Sequence, residues 1–213
     1  MIAKANGGDY EQAPTGTHVA RCVRLIDLGT QSSEYEGRKS SRRQVVISWE
    51  LPEEMMATGE RAGEPFLVTK FYTLSLNEKA KLRADLISWR GRDFTEEELA
   101  GFDMKKILGT ACLLGVIDRD GKNRVDKPMK LTKGMKVAKQ VNPTLYFSLD
   151  PEEFDPKVYE GLTDGYKRMI EASPEYQEIL SPKEPAASDD PAQWPEEDGP
   201  ELDFGEDSDD DDF

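Results

Sequence analysis

The chain has 213 residues and a formal charge of -15, from 43 acidic against 28 basic side chains. A single histidine and two cysteines, Cys22 and Cys112, exclude a tetrahedral zinc site of thiolates and imidazoles, and no disulfide framework is needed at this size. The N-terminus lacks the apolar run of a signal peptide, and the longest apolar patch, residues 111–117, is far shorter than the roughly 20 residues needed to cross a bilayer. The expectation is a soluble protein of a reducing, cytoplasmic compartment.

The charge is unevenly placed. Residues 181–213 hold 14 Asp and Glu against one Lys, whereas residues 17–147 hold 23 basic and 18 acidic side chains. A mildly basic core therefore carries a strongly acidic tail.

In chain order, residues 1–16 read as a flexible polar leader. Residues 17–28, rich in Val, Ile and Leu, predict a first strand, and 29–43 a flexible connection with Tyr35 and a basic group. Residues 44–50 predict a second strand, with Val45, Ile47 and Trp49 on one face by period-two alternation. In the third strand, 65–74, Phe66, Val68, Lys70 and Tyr72 alternate with Leu67, Thr69, Phe71 and Thr73. The period then changes to that of a helix over 77–89, capped by Asn77, with Leu82, Leu86 and Trp89 on one face. Thr95 and Glu98 form a capping box for a second helix, with Phe94 and Leu99 spaced for a hydrophobic staple. A further helical turn is expected at 104–108.

Strand character returns at 110–117 and, after a turn containing Asp120-Gly121, at 124–131, where Pro128 indicates an edge or an irregularity. A basic segment, 132–143, leads to a short strand at 144–149. Asp155-Pro156 opens a helical appendix, 158–171 and 175–180. From 181 on, prolines and like charges predict disorder. The domain plan is a leader (1–16), a core (17–150), an appendix (151–180) and an acidic tail (181–213). This order suits a mainly β protein with helical additions, an OB-like, partly open barrel. The alternative is an α+β sandwich.

No phosphate-binding Gly-rich loop or dinucleotide fingerprint is present. His18 stands alone as an imidazole, and Asp118, Asp120 and Asp126 near Lys122 and Lys127 read as a hairpin turn rather than a metal nuclease. The expectation is a protein that is not an enzyme and needs no cofactor. Single-strand binding requires positive charge along a backbone path and flat apolar faces for unstacked bases. Arg21, Arg24, Arg38, Lys39, Arg42, Arg43 and Lys70 supply such charge, followed by Lys122, Arg124, Lys130, Lys133, Lys136 and Lys139. Tyr35, Trp49 and Tyr72 are the expected stacking groups, with Phe71, Tyr146 and Phe147 as further aromatics.

The terminus, Asp209, Asp210, Asp211, Asp212 and Phe213, adds a distinct signal. A basic core followed by an acidic tail ending in Phe resembles the single-stranded-DNA-binding proteins of bacteria and their phages. The bacterial proteins place Ile-Pro before the final Phe, where this chain has Asp211-Asp212. The resemblance implies nonspecific binding and protection of single-stranded DNA during phage replication or recombination. It also implies that the tail recruits replication or recombination proteins and competes with DNA for the core, a competition that tethering favours. The alternative is a protein-interaction factor whose tail mimics nucleic acid.

Overall fold

The computed structural model describes residues 11–35 and 37–181. The leader up to residue 10 and the acidic tail from residue 182, including Asp209–Phe213, lie outside the described residues. The end of the expected leader is anchored. The Glu11 carboxylate accepts from the backbone of Ala57 and Thr58 at 2.8 Å, and the Gln12 side chain bonds to Gly121 and Asn123.

The described residues form one six-stranded sheet. Its strands are β1 (Gly16–Tyr35), β2 (Arg38–Met55), β3 (Pro65–Thr73), β4 (Ala111–Arg119), β5 (Lys122–Met129) and β6 (Leu145–Phe147). The ladder order is β3-β2-β1-β4-β5, with β6 added parallel to β1. Among the described residues no ladder joins β3 to β5, so the sheet is open. With its helices the molecule has a mixed α/β fold.

The expected flexible connection over 29–43 is instead regular strand at 29–35 and 38–43. β1 and β2 continue through it as a two-stranded ribbon, paired from Thr30↔Arg43 to Tyr35↔Arg38. Alternation of apolar residues fails there because neither face is buried. Cross-strand hydroxyl pairs, Ser32–Ser41 at 3.0 Å and Ser33–Ser40 at 2.9 Å, accompany the backbone ladder instead. The ribbon is fastened at its base. Thr30 donates its backbone N–H and its hydroxyl to Glu175, and the Gln31 amide donates to the Leu28 and Met169 carbonyls. Gly29 has a φ of 69°, and a Cβ there would lie 2.4 Å from the Ser173 Cβ, so only glycine permits this approach.

A register shift between Cys22 and Arg24 sets the faces of β1. Ala20, Cys22 and Leu25 join Val45, Ile47, Trp49, Tyr72 and the helix residues Leu82, Leu86 and Trp89 in one core. Ile26, Leu28 and Val46 point to the other face, where they meet Phe147, Leu149, Leu162 and Ile170 in a second core. Each fully buried Leu or Ile contributes about 1.5–3 kcal/mol, which fastens the C-terminal helices to the sheet.

The first core is closed by α1 (Lys81–Arg90), α2 (Glu96–Ala100) and a 3-10 turn, Met104–Ile107. Asn77 does not cap α1. Ala80 occupies that position, with no side-chain bond. The Thr95–Glu98 capping box is formed, but Leu99 stays exposed and Phe94 packs edge-on against Phe102 instead, with ring centroids 5.2 Å apart. The β4–β5 turn carries positive φ at both Asp120 and Gly121, the geometry of a tight hairpin. The single helix expected over 158–171 is two, α3 (Pro156–Glu160) and α4 (Asp164–Glu171), broken near Gly161, and α5 (Pro174–Leu180) follows. The aromatics Phe147, Phe154, Tyr159 and Tyr176 interlock beneath them, Tyr159 and Tyr176 stacked at 5.1 Å.

Within the first core, Asp85 accepts from the Lys70 ammonium at 2.7 Å and from the Tyr72 hydroxyl at 2.8 Å. Lys70 also donates to the Asp126 carbonyl, which ties β3 to β5. Replacing Asp85 with Ala strands a buried ammonium, and we expect a loss of about 3 kcal/mol in urea unfolding, recovered in large part by Lys70→Met/Asp85→Leu. Unchanged stability of Asp85→Ala would refute the buried pair. Both cysteines are buried, and burial pushes the Cys22 thiol up to about 12. Native protein at pH 8 should therefore react with a thiol reagent only at the rate of unfolding, and rapid labelling would contradict this core.

Candidate nucleic-acid interface

The outward face of β1, β2 and β3 is built from cross-strand rows. Register places Ile26 beside Val46 and Phe71, Arg24 beside Ser48 and Thr69, and Arg21 beside Glu50 and Leu67. The helical layer covers Ile26 and Val46. At the other end the segment after β5 covers Glu50, whose fully buried carboxylate accepts from the backbone of Val141 and Asn142 at 3.0 and 2.8 Å. Between these covers lies a strip formed by Arg24, Thr69 and Phe71.

Phe71 is 50% exposed, and its ring stands 6.3 Å from that of Tyr166 on α4. Burial pushes the Tyr166 phenol up, while the Arg24 charge and a hydrogen bond with Thr69 act in the opposite direction. Cation, hydroxyl and two rings thus converge on one patch. Past the edge of β3, Phe71 also lines a cleft of about 350 Å³ between β3 and β5. Lys81, Arg119 and Arg124 line the same cleft, all exposed, and none forms an ion pair among the described residues. A patch of this kind can hold a flat ring against Phe71 while cations meet the anionic chain that carries it.

The sequence-derived residues divide. Arg24 and Arg124 belong to this surface. Arg42 is exposed on the ribbon opposite Gln31, and Lys39 is exposed opposite Glu34. Tyr35 and Arg38 form the last register pair of that ribbon. Lys122 starts β5 and lines a separate cleft of about 650 Å³ with Gln12 and Phe66. Lys130, Lys133, Lys136 and Lys139 lie along the segment after β5.

Five expected ligand-binding residues are corrected. Trp49 is fully buried, tilted against Trp89 at 5.8 Å, and offers no face to a base. Tyr72 is buried with its hydroxyl on Asp85, and Lys70 is committed to the same carboxylate. The Arg43 guanidinium is held by Asp27, whose carboxylate also accepts from the backbone of Gly29 and Leu149. Arg21 donates its two terminal nitrogens to the carbonyls of Gly109 at 2.6 Å and Ala138 at 3.4 Å, acting as a staple between loops.

Sequence reading missed Tyr166, Lys81 and Arg119. Tyr166 belongs to an appendix whose place depends on packing alone. Arg119 is a single cation between two aspartates and Lys81 opens a helix whose pattern marks core packing, and only the approach of β3 to β5 groups them. Among the described residues, no group of three or more His, Cys, Asp and Glu side chains is placed to hold a metal. No helix among them is long and apolar enough to cross a membrane.

The burial of Trp49 has a spectroscopic consequence. In a Trp89→Phe/Trp194→Phe chain, Trp49 is the remaining indole of the three. Its emission should be blue-shifted, resist iodide quenching and stay constant on adding an oligonucleotide, whereas quenching by the oligonucleotide would restore Trp49 as a stacking face.

Comparison with protein-family models, with characterised proteins and with solved structures found no match for this chain.

Proposed function

We propose that this chain binds single-stranded DNA without sequence preference and protects it during replication or recombination. The observation that carries this reading is the half-exposed Phe71, paired with Tyr166 and flanked by Arg24 on one side and by Lys81, Arg119 and Arg124 on the other. An aromatic platform among unpaired cations suits unstacked bases on a charged backbone better than it suits a rigid duplex.

The strand order supports an OB-type reading. A sheet ordered β3-β2-β1-β4-β5, with β3 and β5 side by side, suits an OB barrel left open along one seam. In such a barrel the connections β1–β2 and β4–β5 flank the binding face. Here these are the ribbon carrying Lys39 and Arg42 and the turn between Arg119 and Lys122. The acidic tail ending in Phe213 would compete for the same cations and recruit replication or recombination proteins, as in the phage and bacterial proteins the chain resembles. No cofactor and no turnover are required, and the place of action would be the cytoplasm of a bacterial cell.

The test is fluorescence anisotropy with labelled single-stranded and duplex DNA across a salt series. It compares the full chain with one ending at Ser181. We expect preference for the single strand, tighter binding without the tail, and the largest difference at low salt. Phe71→Ala should weaken binding about tenfold, a stacking contribution of ~1.4 kcal/mol. Arg119→Ala/Arg124→Ala should reduce the salt slope by about 0.7 for each phosphate no longer neutralised. Absence of binding by either chain would overturn the reading and turn attention to a basic protein partner of the acidic tail.

A further inference from the structure

A third cleft, of about 590 Å³, lies away from Phe71, where the end of α1, α2, the 3-10 turn and the end of β5 meet. Its floor is apolar, from Trp89, Phe102 and Ile107. Its rim holds Arg90, Arg92, Lys106 and Lys130 against one carboxylate, Glu98.

The cations are held by different means. The Arg90 guanidinium lies over the rings of Phe94 and Phe102, 4.4 and 5.0 Å from their centroids, and one of its terminal nitrogens bonds Glu98. The other, Nη1, is buried without a hydrogen-bond partner among the described residues. Arg92 shares Glu98 through two bonds, of 2.9 and 2.7 Å. Those bonds, with the capping N–H of Thr95, lower Glu98 to about 2, so it remains a carboxylate at neutral pH. One negative charge thus serves two guanidiniums. Lys106 and Lys130 form no ion pair among the described residues.

We propose that this cleft binds a phosphate monoester attached to a flat ring, as at the phosphorylated end of a nucleic-acid strand. A surplus of three cations fits a group of charge about -1.5 to -2 with three acceptor oxygens better than a phosphodiester or a single carboxylate. A guanidinium fixed by two rings and a carboxylate, beside two exposed lysines, gives a cationic rim suited to phosphate oxygens, and Phe102 and Ile107 supply an apolar wall for the attached base. The position agrees. Leu131 lines the cleft, and the chain runs from it directly into the segment carrying Lys133, Lys136 and Lys139. A strand lying along that segment would end at Arg90. The inference rests on single-strand binding by the core.

The test uses the full chain and short oligonucleotides of one sequence ending in 5′-phosphate, 3′-phosphate or hydroxyls. One phosphorylated form should bind about tenfold tighter than the hydroxyl-ended strand. Lys106→Ala, which alters one exposed side chain on the rim, should remove that advantage while hydroxyl-ended binding persists. Competition by 5′-dAMP at concentrations well below those of inorganic phosphate would identify free nucleotide as the source of the monoester. Competition only by phosphorylated strands would identify strand ends. Equal affinity for all three oligonucleotides, or an advantage retained by Lys106→Ala, would overturn the site while leaving single-strand binding intact. Failure of every oligonucleotide to bind would instead remove the reading on which it rests.

Discussion

The structure depends on the register of β1. This strand pairs with β2 from Arg21 to Tyr35, with β4 through Gly16–Arg21 and with β6 through Arg24–Ile26. The bulge at Val23 separates the last two pairings. It also exchanges the faces, so that Cys22 and Leu25 enter one core while Ile26 and Leu28 enter the other. A slip of one residue would send every side chain of a strand to the opposite face. Two cores on opposite sides of one ladder make such a slip costly in both directions. The helices, the covered end of the sheet and the open strip beside Phe71 all inherit their positions from that register.

What could be read from the chain alone was local. The capping box at Thr95–Glu98 and the Asp120-Gly121 turn are set by neighbouring residues, and both formed as the pattern implies. The strands over β3 and β4 followed from alternation for the same reason. The parity of β3 did not. Both of its faces carry large apolar residues, and Lys70 on the face of Tyr72 argued for exposure. Asp85, from the helix that follows, reverses that argument by giving both groups a buried partner. No local pattern contains this information. The ribbon was missed because hydroxyl ladders resemble polar loops in composition.

The basic residues show the same limit from another side. Arg21, Arg43 and Lys70 are consumed by carbonyls and carboxylates within the fold. Guanidiniums suit this work because their forked donors can serve two acceptors at once. Counting cations along the chain therefore overestimates the charge that a ligand meets. The exposed remainder is smaller but grouped, and its grouping follows from the tertiary approach of β3 to β5.

The seat of the ribbon on Ser173 and Glu175 makes α5 a fulcrum. The paired strand Thr30–Tyr35 reaches about 20 Å at roughly 3.3 Å per residue. Over that length a rotation of about 10° at the base carries the tip through about 3.5 Å, close to the rise of one strand residue. Small changes in helix packing far from any ligand are thereby geared up into displacements at the end of the arm. A substitution in α5 that touches no binding residue would alter reach before it altered charge.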